Sequence, residues 1–194
     1  MTPELLARLR TALTTEAPHP SCFSGIESAV LVPLFARDGE LHLLYTRRSE
    51  ALPHHGGQIS FPGGRHMAAT DPSLLATALR ETDEEIGVAA RDVDVLGKLA
   101  PIQTFSSNFV ITPFVGVIPY PYAFRANLLE VSEIFSVPLA VLADPATAHE
   151  EEWTLDGHKL PVATYRHAGH VIWGATQRIT TTLLDILAAI AAAP

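Results

Sequence analysis

The chain has 194 residues, 47% hydrophobic and 18% charged, enough apolar material for a core and too much for global disorder. Its formal net charge of -8 and pI near 5.5, without any run of Lys or Arg, exclude a phosphate backbone as the expected partner, so no nucleic acid is anticipated. Acidity is still compatible with phosphate chemistry where a divalent ion neutralises carboxylates and substrate oxygens together.

Cys22 is the only cysteine, which excludes an intramolecular disulfide and a thiolate-rich zinc site and fits a reducing cytoplasm. The first residues read as a short amphipathic helix over 2–16 that ends at prolines, unlike a signal peptide. Ala29 to Phe35 is a continuous apolar run, and Glu40 to Thr46 follows the Asp38-Gly39 turn signal, which predicts a strand hairpin. Ser49 to Gly64, dense in Pro, Gly and His, reads as loop, with a short strand at Ile59 to Phe61. Asp71 as N-cap, Pro72 as first helical residue and Gly87 as terminator predict a helix from Ser73 to Ile86.

Further on, Val93 to Ala100, Phe109 to Ile118 and Val131 to Val137 have strand patterns, and Pro138 to Leu142 that of a helical turn. The acidic stretch His149 to Trp153 precedes a hairpin centred on Asp156-Gly157, and 176–193 reads as a C-terminal helix. The apolar part of that helix, Leu183 to Ala193, is interrupted by Asp185 and is shorter than the ~20 residues of a membrane span, so no membrane partner is expected. Interleaved hairpins and a few helices predict an α+β fold rather than a doubly wound sheet. With no repeat and no linker, residues 1–194 read as a single domain.

The predicted central helix carries the chemistry. At about 100° per residue, with Glu81 at zero, Glu85 falls near +40° and Glu84 near -60°, whereas Asp83 points to about 200°. Leu75, Ala78, Leu79, Thr82 and Ile86 fill an arc from about 60° to 160°, the face that would pack on a sheet. Three clustered glutamates repel one another, and Arg80 alone cannot offset three anions. A hard divalent ion with carboxylate ligands can, and Mg2+ or Mn2+ is the natural one. Just upstream, Pro62 gives a rigid turn and Gly63-Gly64 leaves backbone open to a ligand.

Taken alone, an ExxEE triplet is usually a solvated helix face. Here Arg80-Glu81-Thr82-Asp83-Glu84-Glu85-Ile86-Gly87-Val88, preceded by Gly64, resembles the Nudix box, whose pattern is G, five residues, E, seven residues, R-E-U-x-E-E-x-G-U. Arg80 lies sixteen positions after Gly64 rather than fourteen, and Pro72 stands where the first Glu of the pattern belongs, so that role is unassigned. Leu44 to Ser49 and Gly57 to Gly64 also look like the signature of the coenzyme A pyrophosphatase branch, in which Pro53 replaces a usual arginine. Similar stretches run through Ala29 to Leu34, Phe109 to Val117, Glu130 to Leu139 and Ile172 to Thr176.

The resemblance implies a Nudix-type mixed sheet packed between helices, an α/β/α sandwich, with the two terminal helices as additions. It implies a cytoplasmic hydrolase that cleaves the pyrophosphate of coenzyme A to 3',5'-ADP and 4'-phosphopantetheine. Glu81, Glu84 and Glu85 would be the metal ligands, Arg80 would brace them, and Glu81, Glu130 or Glu133 would be the general base. Arg47, Arg48, His54, His55, Gly63 and Gly64 are the expected substrate contacts. A homodimer is compatible with the sequence. Two other readings stand beside this one: hydrolysis of another nucleoside diphosphate derivative such as ADP-ribose or a dinucleotide, and a catalytically silent nucleotide-binding domain.

Overall fold

A computed structural model describes residues 2–13, 23–104, 108–155 and 157–193. The Asp38-Gly39 turn joins β1 (Ile26–Arg37) to β2 (Glu40–Arg48), and both turn residues take the positive φ that a tight hairpin of native twist requires, 52° and 85°. In chain order there follow β3 (Ile59–Ser60), β4 (Gly63–Arg65), β5 (Asp94–Lys98), β6 (Ile102–Gln103), β7 (Phe109–Val117) and β8 (Val131–Pro138). These eight strands form one mixed sheet along the order β3-β2-β1-β7-β5, with β4 on β1, β6 on β7 and β8 on β2. The β1-β7 pair is parallel, in register from Ile26-Phe109 to Leu34-Val117, while the other pairs are antiparallel.

Because β1 alternates its side chains, it feeds two cores. Val32 and Leu34 join Leu43, Tyr45 and Val115 beneath α1 (Pro3–Leu13) and α4 (Gly174–Ala192), which contribute Leu9, Leu13, Ile179 and Leu183. Leu31 and Phe35 face the other way, with Leu44, Ile118 and Val88, and meet Ile86 of α2 (Leu74–Ile86). Helices therefore cover both faces, as expected of an α/β/α arrangement. A second, antiparallel sheet of β9 (Ala148–Leu155), β10 (His158–His167) and β11 (His170–Trp173) leads into α4, and α3 (Leu139–Leu142) follows β8. The buried Tyr45 hydroxyl meets Thr180 at 3.0 Å and so joins the main sheet to α4.

Two features differ from the sequence expectation. The Pro-Gly-Gly stretch is not a free turn: Gly63 to Arg65 form β4, because a chain without side chains can lie against β1, where a Cβ on Gly63 would sit 2.3 Å from the Ala29 carbonyl oxygen. The N-cap of α2 is Ser73, whose hydroxyl accepts the Ala76 N–H at 3.1 Å, and Pro72 lies ahead of the helix. Asp71 has other partners, described below. Gly87 does end α2, in the left-handed conformation. Described residues of α1 end at Leu13, and residues 14–16 and Cys22 lie outside the described residues.

Candidate functional site

Asp71 and Arg80 form the brace of α2. Arg80 donates from Nε to Asp71 Oδ1 at 2.8 Å and from Nη2 to Asp71 Oδ2 at 3.0 Å. The same guanidinium reaches Glu84 through Nη1 at 2.8 Å and Glu81 through Nη2 at 2.9 Å. Asp71 also accepts the Thr77 hydroxyl at 2.9 Å and the Met67 N–H at 3.1 Å. Arg80 holds the Asp71 carboxyl well below its usual range, and Asp71 in turn raises the guanidinium above its own. Sequence reasoning assigned Asp71 to the helix cap; its location nine residues before Arg80 gave no sign of this pairing.

One turn beyond the brace, the carboxylates of Glu81, Glu85 and Glu130 converge, with an oxygen from each within 4.8 Å of the others. Glu85 is 3% exposed, and burial pushes its carboxyl up to about 8 despite the favourable field of Arg48. Burial likewise raises Glu81, against the pull of Arg80. The glycines make room. Gly63 N–H donates to Glu85 Oε2 at 3.3 Å, and a Cβ on Gly64 would lie 2.5 Å from the Glu81 carboxyl carbon. Glu130 arrives on a turn docked to the end of α2: Arg125 N–H donates to the Ile86 carbonyl and Asn127 N–H to the Glu85 carbonyl, both at 2.9 Å. The Asn127 side-chain amide then steadies Glu130 at 3.3 Å.

A divalent ion fits this set. All the convergent donors are carboxylate oxygens, the ligand type of Mg2+ and Mn2+, and a cation among them would offset their mutual repulsion. Nearby, Arg48 Nε is buried with no hydrogen-bond partner among the described residues, which leaves a donor for an anionic ligand.

The remaining expected residues distribute unevenly. Glu84 stays on the solvent side, its side chain 54% exposed and paired with Arg80, outside the convergent group. Arg47 is engaged: its Nε donates to Glu133 at 2.9 Å, and His170 meets the other Glu133 oxygen at 3.1 Å while stacking on Phe135. Burial acts to raise the Glu133 carboxyl, but bonds to Arg47 and His170 outweigh it and hold the group low. His54 and His55 are exposed, and the His55 ring meets the Gln58 side chain at 3.1 Å. Glu130, read from sequence as a base candidate, is the carboxylate that joins Glu81 and Glu85; a turn 45 residues after Glu85 carries no local pattern to mark it as a ligand.

The NUDIX domain signature matches residues 25–156, which spans both the glycine strand and α2 with its glutamates. This chain belongs to the Nudix family. It is 39% identical over 152 residues to the uncharacterized Nudix hydrolase NudL of Photorhabdus laumondii, covering 78% of this chain and 80% of that protein. The Yersinia enterocolitica NudL is 39% identical over 176 residues, 87% and 86% of the two chains. Among solved structures, the Nudix hydrolase RenU of M. smegmatis aligns with a TM-score of 0.57 at 18% identity, over 85% of this chain and 87% of that one. The NUDIX domain of Shewanella oneidensis NrtR, complexed with ADP-ribose, aligns with a TM-score of 0.51 at 23% identity, over 75% and 89%. At these identities the structural likeness bears on the Nudix fold alone. No helix among the described residues is long and apolar enough to cross a membrane.

Proposed function

We propose that this Nudix hydrolase cleaves the pyrophosphate bond of coenzyme A or a derivative, adding water across one P–O bond to give 3',5'-ADP and 4'-phosphopantetheine. The observation that carries the reaction class is the convergence of Glu81, Glu85 and Glu130 beside the glycine strand. These three residues would hold Mg2+ or Mn2+, and Glu84 would join them by exchanging its contact with Arg80. When bound, the ion supplies charge neutralisation of the diphosphate and of the leaving oxygen.

The chain's own groups do the rest. Arg80, locked by Asp71, orients Glu81. Glu81, raised by its burial, is the general base that takes the proton of the attacking water. Glu133 is the weaker candidate for that role because Arg47 and His170 occupy both its oxygens. Arg48, with its unpartnered Nε, is the cation for a substrate phosphate, and Gly63 and Gly64 admit the diphosphate to the helix face. Arg47, His54 and His55 would need to change partners or loop position to reach it.

Support for coenzyme A comes from the run Leu44 to Ser49 and Gly57 to Gly64, which forms the end of β2, β3 and β4 around the site. The second reading, ADP-ribose, draws on Pro53, which offers no cation for a 3'-phosphate, and on the ADP-ribose in the NrtR complex. A Mg2+-dependent panel of coenzyme A, its dephospho form and ADP-ribose with product identification tests both. Fastest turnover of coenzyme A is the expected result; fastest turnover of ADP-ribose would replace this substrate, and no metal-dependent hydrolysis would replace the enzyme reading with a silent binding domain.

A further inference from the structure

A cleft of about 290 Å³ opens at the other end of α2, lined by Glu27, Ser73, Leu74, Leu75, Lys98, Thr112 and Phe114. None of the convergent carboxylates borders it, and Leu74 precedes Glu81 by seven residues, about 10 Å along an α-helix. Three properties mark it as a place for an anion. The helix end carries no acidic residue in its first turn, so its positive pole is uncompensated, and the Leu74 and Leu75 amides have no acceptor among the described residues. Lys98, half-buried, has no ion-pair partner among those residues. Thr112, 1% exposed and on the same face of β7 as Phe114, has a hydroxyl without any hydrogen-bond partner among the described residues.

That hydroxyl is the deciding observation. A buried unpaired hydroxyl is destabilising, and valine has the same shape without that cost. A threonine beside a lysine and beside the two first-turn amides that the Ser73 cap leaves unbound is explained by a ligand that accepts from all three. The rest of the lining is different in character: Glu27 is exposed and can accept a hydroxyl of the ligand, while the Leu74, Leu75 and Phe114 side chains offer apolar contact to a carbon skeleton. We infer that this cleft is a second ligand site, distinct from the carboxylate cluster, for a small phosphate monoester bearing hydroxyl groups, with the phosphate at the helix N-terminus between Lys98 and Thr112.

The test is a backbone amide NMR titration of the full chain in EDTA, with glycerol 3-phosphate in one arm and inorganic phosphate in the other. Saturable shifts at Leu74, Leu75 and Thr112 are expected, with the monoester binding at least fivefold tighter than inorganic phosphate. Lys98→Met and Thr112→Val should each weaken binding at least fivefold, while Arg48→Met, which alters only the cation near the carboxylate cluster, should leave it unchanged. Thr112→Val should melt no lower than the parent, which separates lost binding from lost folding. Absent shifts, equal binding by Thr112→Val, or loss on Arg48→Met would overturn the inference. Tighter binding of inorganic phosphate would overturn the monoester assignment.

Discussion

Two carboxylate groups on α2 and its flanks have opposite fates. Asp71 is fully satisfied, by one guanidinium, one hydroxyl and one amide, and its carboxyl is held low. Glu85, fourteen residues further along the chain and just as buried, faces two other glutamates, and its burial pushes the carboxyl up to about 8. The first group spends its charge on holding the helix; the second is left with charge to give to a ligand.

Substituting the unsatisfied member should have the largest effect. Glu85→Gln is expected to lower kcat by roughly 10²–10³, the scale for losing one preorganised electrostatic group, yet to raise the melting temperature in EDTA at pH 8, because a neutral amide replaces a buried acid. Loss of activity together with loss of stability would place Glu85 in the structural class with Asp71. Breaking the satisfied group is next: Asp71→Asn should cost roughly 10–100-fold in activity through misoriented Glu81, as outer partners of metal ligands do, and should lower the melting temperature at any pH near neutral. An unchanged kcat would show that Arg80 needs no anchor.

The two adjacent arginines repeat the contrast on a smaller scale. Arg48→Met should raise KM about tenfold, the value of one charged hydrogen bond, whereas Arg47→Met should leave KM within about twofold, since Arg47 already serves Glu133. Equal effects would blur the distinction. The smallest expected change is in pH dependence without metal. An unfolded glutamate ionises near the model value 4.5, while Glu85 in the folded chain holds its proton to about 8. Between these values the folded state binds the extra proton, so its contribution to stability is complete below the lower pH and is lost as pH rises through the upper one. Melting in EDTA should therefore fall by several degrees from pH 5 to 8.5, at about 2–4 °C per kcal/mol, and Mg2+ should flatten the curve. A flat curve in EDTA would show that Glu85 is ionised in the folded chain.

Much of the fold was legible because its signals are local. The Asp38-Gly39 turn, the apolar runs of β1, β2 and β7, and Gly87 at the end of α2 each act within a few residues. The helix rotation correctly set Glu85 at the edge of the buried face. What sequence could not give was pairing across distance. Asp71 looks like a cap until Arg80 is seen to reach back to it, and Gly63-Gly64 looks like a loop until β1 lies beside it. Glu130 becomes a neighbour of Glu85 through long-range backbone bonds, from Ser49 to Glu130 and from Arg125 and Asn127 to the end of α2, which no side-chain pattern encodes.

Those last two bonds have a further consequence. The carbonyls that end a helix ordinarily go to water or to a cap; in α2 the Glu85 and Ile86 carbonyls are taken by the segment that delivers Glu130. The segment that carries the third carboxylate is thus tied at both ends, to the helix terminus through Arg125 and Asn127 and to the end of β2 through the Ser49 N–H on the Glu130 carbonyl. Because β7, the parallel partner of β1, lies between Gly87 and Arg125, a change of length there disturbs the sheet core as well as the placing of the trio.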